Sequence, residues 1–174
     1  MFKKVCIIGC GLIGSSIARA IRKQNLSAKI VSSNRSDSVN KKVIELKIVD
    51  DSNSDTKKMA EGSDLIIIAT PLSSYEDIIL KIKDSLKNGS ILTDVGSVKE
   101  NVISLIEKNV PKNVSWISSH PIAGTEESGP EAGFSELFEN RWCILTPSKT
   151  AKEKDIKLLE TFWNKIGSKV DIME

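Results

Sequence analysis

Near its amino terminus the chain reads KVCIIGCGLIG, residues 4–14, an apolar run that breaks into three glycines spaced G-x-G-x-x-G. This feature constrains the fold more than any other, because the spacing has a use where a buried strand turns sharply into a helix. Gly9 permits the tight turn, Gly11 lets a pyrophosphate approach the backbone, and Gly14 lets the helix lie close to the strand. The helix beginning near Leu12 presents the free N–H groups of its first residues, Leu12 and Ile13 among them, and the positive end of its dipole. A dinucleotide phosphate site follows; the bland alternative is a purely structural glycine turn.

The rest of the chain keeps the alternation such a site requires. Apolar runs predict strands over 4–9, 28–33, 64–71, 90–96, 114–118, 141–147 and 169–173. Helical spacing predicts helices over 12–24, 38–46, 74–86, 99–109 and 152–166. The stretch DLIIIATP, 64–71, is apolar nearly throughout, as in a strand covered on both faces of a parallel sheet. The expected fold class is α/β: a Rossmann-like, doubly wound, mostly parallel sheet with helices on both faces, one domain over 1–174. Ligands of such sheets bind at the carboxyl ends of the strands.

Composition narrows the function classes. A net charge of +2 with dispersed lysines gives no basic patch, so neither nucleic acid nor a membrane surface is an expected partner. Cys6, Cys10 and Cys143 have no metal or disulfide spacing, so reduced thiols and no metal are expected. The apolar start is short and glycine-broken, and no small-residue cleavage site follows it. The expected location is the cytoplasm, and the expected partner a small molecule.

The second strand ends VSSNRSDS, where an NAD-type site would carry a carboxylate for the ribose hydroxyls. Asn34 stands there instead, followed by Arg35, with the Ser33 and Ser36 hydroxyls beside them. An amide and a guanidinium would accept a 2′-phosphate that a carboxylate would repel, which favours NADP over NAD. Asp37 is left as a possible ribose partner, and Arg35 could be an ordinary solvated loop residue.

Four further strand ends should border the nicotinamide: ATP (69–71), TDVGSVK (93–99), SSHPIAGTE (118–126) and LTP (145–147). Thr70, Pro71 and Gly96 are expected to turn backbone toward the cofactor. Ser97 could cap a helix starting at Val98, with Glu100 completing a capping box, a role compatible with a place in the site. His120, the only histidine, is expected to open a loop at a strand end. An imidazole titrating near pH ~6.5 is a usable proton acceptor for an alcohol losing hydride, but a lone histidine is more often structural than catalytic.

Taken in order, GCGLIGSSIA, IIATP, TDVGSVK and SHPIAGTEESGPEAG resemble the cofactor-binding domain of the prephenate/arogenate dehydrogenases of tyrosine biosynthesis. The resemblance implies an NAD(P)-dependent oxidative decarboxylation of a cyclohexadienol that becomes aromatic. By motif, it assigns His120 to deprotonation of the ring hydroxyl, Ser97 to positioning that pair, and Glu126 to the rim of the site. It also implies a helical, dimerising carboxyl-terminal domain that supplies groups for the substrate carboxylates. This chain ends at Glu174 without one, so the 174 residues alone are expected to bind cofactor and turn over weakly or not at all. A homodimer is expected only with that domain. Two other readings stay open: a non-catalytic NADP(H)-binding module acting through a partner, and a hydroxyacid or imine reductase with a similar domain. The latter leaves SHPIAGTEESG unexplained.

Overall fold

The computed structural model describes residues 1–97 and 100–173, the side chains of residues 100–102 excepted. The first apolar run is β1 (Phe2–Ile8), and α1 (Leu12–Lys23) follows across the glycine turn. The alternation continues through β2 (Ser27–Ser33), α2 (Asp37–Glu45), β3 (Asp51–Asn53), α3 (Thr56–Ala60) and β4 (Leu65–Ile68). Then come α4 (Tyr75–Ile82), β5 (Ile91–Asp94), α5 (Glu100–Asn109) and β6 (Ser115–Pro121). The chain closes with β7 (Trp142–Pro147), α6 (Glu153–Lys165) and β8 (Lys169–Ile172).

The strands form one sheet in the order β3-β2-β1-β4-β5-β6-β7-β8. Every neighbouring pair is parallel except β6–β7, which is antiparallel because the chain returns through a long loop rather than a helix. The reversal of strand order between β1 and β4 makes the sheet doubly wound.

Alternate residues of each strand enter opposite cores. On one face Val5, Ile7, Leu65 and Ile67 pack under α1 and α6, where Phe162 lies edge-on to both Phe2 and Trp163. Such ring pairs contribute about 0.5–1.5 kcal/mol beyond their burial. On the other face Cys6, Ile8, Ile66, Ile68 and Trp116 pack under α3, α4 and α5. The strands are therefore apolar on both sides, which is why they read as continuous runs. Among the described residues no helix is long and apolar enough to cross a membrane.

Three expectations change. β3 and α3 were not anticipated, being too short to carry a periodic pattern. The helix expected over 74–86 is α4 with a 3₁₀ turn at each end, Leu72–Ser74 and Lys83–Ser85. The strand expected to stop at Ser118 runs on to Pro121, so His120 lies within β6, opposite Ile144 of β7, rather than opening a loop. Antiparallel pairing with β7 extends it past the point where its own residues cease to be apolar.

Candidate functional site

The carboxyl edge of the sheet carries a cavity of about 560 Å³ whose floor is the glycine turn. Gly9 has φ +94°, and a Cβ there would lie 2.8 Å from Thr70 Cγ2 and 2.9 Å from the Ala69 carbonyl oxygen. A Cβ on Gly14 would lie 2.0 Å from the Gly9 carbonyl oxygen, so the helix–strand contact admits only glycine. A Cβ on Gly11 would meet nothing within 4 Å; this side of the turn is open for a ligand to approach. The amino end of α1 has no side-chain cap and no acidic residue in its first turn. Its N–H donors and dipole are thus available to an anion, and these residues fit a dinucleotide pyrophosphate.

Gly9, Gly11, Ser33, Asn34, Arg35, Thr70 and Pro71 line this cavity as expected. Leu12 and Ile13 are half-buried and pack against the apolar core, and neither they nor Gly14 nor Gly96 line the cavity wall. The amide of Asn34 needs a correction, because it is engaged within the protein. Its Oδ1 accepts from the Cys10 N–H at 2.6 Å, and its Nδ2 donates to Asn40 Oδ1 at 3.0 Å and to Ser32 and Ser52 Oγ at 3.3 Å. The residue is 7% exposed. The Ser33 hydroxyl is likewise paired, with Thr56 at 3.0 Å. Asn34 therefore anchors the glycine turn, and exposed Arg35 and Ser36 are the groups offered to a ligand. Asp37 opens α2 and does not line the cavity. Sequence reasoning missed the other polar lining residues: Ser54 and Thr56 at the start of α3, and Ser73, Ser74, Asp77 and Lys81 on α4 and the turn before it.

Two of the cysteines lie at this floor, Cys10 in its lining and Cys6 fully buried. Burial pushes the Cys6 thiol up to about 12 and the Cys10 thiol up to about 11, so both stay protonated and serve as small apolar groups.

Farther along the edge, Asp94 ends β5, wholly buried. Its Oδ1 accepts from the Ser118 hydroxyl at 2.6 Å and the Ser119 N–H at 3.3 Å; its Oδ2 accepts from the Tyr75 hydroxyl and the Gly96 N–H, each at 3.0 Å. Gly96 fits tightly here, since a Cβ would lie 3.0 Å from Leu72, Tyr75 and Asp94 atoms. Burial and then the Asp94 charge push the Tyr75 phenol far above its ordinary range, so it remains a donor. Ser97 follows as an exposed bend; the capping box proposed for Ser97 and Glu100 rests on residues outside those described.

Two residues beyond Ser118, half-buried His120 lines an open depression of about 400 Å³ with Pro121, Ile122, Ala123, Gly124 and Arg141. Arg141 reaches this depression because β7 returns antiparallel beside β6. Glu126 is exposed in the loop that follows and lines neither cavity. The second half of SSHPIAGTEESGPEAG has a structural task. A Cβ on Gly133 would lie 2.1 Å from Ser15 Oγ, the Phe134 N–H donates to Ser16 Oγ at 3.1 Å, and Gly129 and Pro130 wall the first cavity.

Comparison with known proteins agrees with this fold. Residues 17–172 match the family described as prephenate dehydrogenase, nucleotide-binding domain. The chain is 34% identical over 173 residues to the cyclohexadienyl dehydrogenase of Zymomonas mobilis, covering 99% of this chain and 59% of that protein. It is 37% identical over 146 residues to the prephenate dehydrogenase of Lactococcus lactis, covering 83% and 41%. Among solved structures it is similar to prephenate dehydrogenase from A. aeolicus in complex with hydroxyphenyl propionate and NAD+, with TM-score 0.92 and 29% identity. That match covers all of this chain and 60% of the other. The chain thus spans about 59% or less of the length of these curated relatives.

Proposed function

The chain belongs to the prephenate dehydrogenase family, and from that premise we propose that it contributes the cofactor site and the proton acceptor to an NAD(P)-dependent oxidative decarboxylation of prephenate or arogenate. One observation carries the reading. The glycine-turn cavity and the chain's only histidine open on the same carboxyl edge, with β5 and its buried Asp94 between them.

Within this proposal the bound nicotinamide supplies the hydride acceptor. The protein's residues do the rest by orientation and proton transfer. His120 accepts the proton of the ring hydroxyl, and Ser97, on the neighbouring strand end, helps hold that hydroxyl and the imidazole together. Loss of CO₂ makes the ring aromatic, so the driving force lies in the substrate. Arg141 beside His120 suits a substrate carboxylate, and Glu126 stands at the exposed rim.

At the other end, Arg35 and Ser36 favour a 2′-phosphate and hence NADP, since the cavity wall offers no carboxylate at the end of β2. Such a protein acts in the cytoplasm, and a homodimer is expected only where a helical domain accompanies this one. Turnover of prephenate and arogenate with NAD+ and NADP+ tests the proposal, using the complete gene product and its His120→Asn variant. Loss of turnover in a folded variant that still binds cofactor supports it; near-normal rates refute it.

A further inference from the structure

Parallel strands β4 and β5 stay in register to their ends, Ile68 opposite Asp94. Strands β5 and β6 do not: among the described residues their ladder holds only two pairs, Ile91 with Ser115 and Leu92 with Trp116. Past that point side chains link them. The Thr93 and Ser119 hydroxyls bond at 2.7 Å on one face, and Trp163 Nε1 donates to Ser119 Oγ at 3.2 Å. On the other face the Asp94 carboxylate takes the backbone N–H of Ser119, an N–H that a strand carbonyl would otherwise accept.

The same carboxylate reaches three elements at once: Tyr75 on α4, Gly96 in the turn that leads to Ser97, and Ser118 and Ser119 on β6. The four donors among the described residues are neutral. A buried carboxylate is held by converging neutral donors only where they are fixed in place. An amide cannot replace it. Its oxygen could serve one side, but its NH₂ would face donors on the other, and the Gly96 N–H cannot accept.

We propose that Asp94 is a positioning residue for proton acceptance: in place of the missing ladder, its carboxylate sets β6, and with it His120, against the turn carrying Ser97. The inference rests on the reading of His120 as the base. It assigns no contact between Asp94 and substrate.

The test compares Asp94→Asn, Tyr75→Phe and Ser118→Ala by two readouts. In the complete gene product, Asp94→Asn should lower kcat by about 100-fold, the scale of a small misplacement, while KM and the NADP+ Kd move little. Tyr75→Phe and Ser118→Ala, which each remove one donor, should give smaller losses of the same kind. In the 174-residue chain the single histidine makes every imidazole NMR signal that of His120, so its resonances report placement without substrate. They should shift in Asp94→Asn and, less, in the other two. Unchanged kcat with unmoved resonances overturns the proposal, and so does a kcat loss matched by an equal loss of cofactor affinity. If Asp94→Asn does not fold, the two single-donor variants decide by the same readouts. Failure of the unsubstituted protein to oxidise prephenate or arogenate would sink the functional reading, while a shifted imidazole would still support the positioning role.

Discussion

Asn34→Asp is the substitution that sequence reasoning would choose to convert the site to NAD, and the structure predicts that it fails. The Cys10 backbone N–H can only donate, so it fixes the amide oxygen toward the glycine turn and leaves the NH₂ facing Asn40 Oδ1 at 3.0 Å. A carboxylate keeps the first bond and sets its second oxygen against that acceptor. Asn40 cannot flip to help, because its Nδ2 donates to the Asn34 carbonyl at 2.9 Å and its Oδ1 accepts from Ser52 at 2.6 Å. Rotation of the Ser32 hydroxyl offers partial relief. One buried bond lost with an acceptor left facing an acceptor costs about 1–3 kcal/mol. Burying the charge adds to that, for a total of roughly 2–4 kcal/mol at neutral pH. For a chain of this length each kcal/mol moves Tm by about 2–4 °C, so a fall of roughly 5–15 °C is expected.

Acidification supplies the sign test. A protonated aspartate can donate to Asn40, so the folded pKa of residue 34 in the variant is raised above the unfolded value of about 3.9. Stability tied to that proton is fully present below the unfolded value and lost as pH rises through the folded one. The Tm gap to the parent should therefore be small near pH ~4 and widen toward pH ~8. Thermal melts across this range, with NAD+ and NADP+ titrations by fluorescence, check both halves. A variant with unchanged Tm at neutral pH and tighter NAD+ binding would show that side chain 34 reaches the ribose, and the argument would be wrong.

Arg35→Ala should weaken NADP+ by about 10-fold or more, the loss of one charge-assisted contact of about 1.5–3 kcal/mol, and barely change NAD+, as read by titration. Gly133→Ala should lower Tm and cofactor affinity together, since its Cβ would displace Ser15 on the helix whose start faces the cavity. Burial acts to raise the Asp64 carboxyl, but Lys87 and the N–H groups of Lys4 and Lys3 outweigh it and hold the carboxyl below the usual range. Its contribution is present above the unfolded value and lost as pH falls through the folded one, so urea melts should show Asp64→Asn costing more at neutral pH than in acid. Arg141→Gln should raise KM for a dicarboxylate substrate with kcat little changed; an unaltered KM would remove Arg141 from the site.

What could be read from the sequence follows a physical divide. Strands such as Leu65–Ile68 are buried on both faces, so their composition alone declares them, and the sheet and its glycine turn follow. Asp51–Asn53 and Thr56–Ala60 were invisible because three and five polar-rich residues set up no period. The glycines could be assigned tasks one by one because each task is local. Asn34 could not, because its partners Asn40 and Ser52 come from separate elements. His120 was recognisable by type and motif but misplaced, since the strand that holds it is completed by β7. Arg141 enters the depression by that same long-range pairing.

Asn34 and Asp94 also share a logic that explains why both are buried and polar. A crevice at the edge of a parallel sheet exists only if the chain leaves the ladder, and each departure exposes backbone donors that burial would otherwise leave unsatisfied. At the end of β1 the orphan is the Cys10 N–H, and the Asn34 oxygen meets it. At the end of β5 the orphans are the Gly96 and Ser119 N–H groups, and the Asp94 carboxylate meets both. An amide suffices at the first place because acceptors from Asn40 and two serines take its NH₂. At the second place the described partners all donate, and the two backbone N–H groups among them cannot accept, so a carboxylate suits the set where an amide does not. Disturbing the first network should therefore loosen the cofactor turn, and disturbing the second should displace the imidazole, two defects that affinity and turnover measure separately.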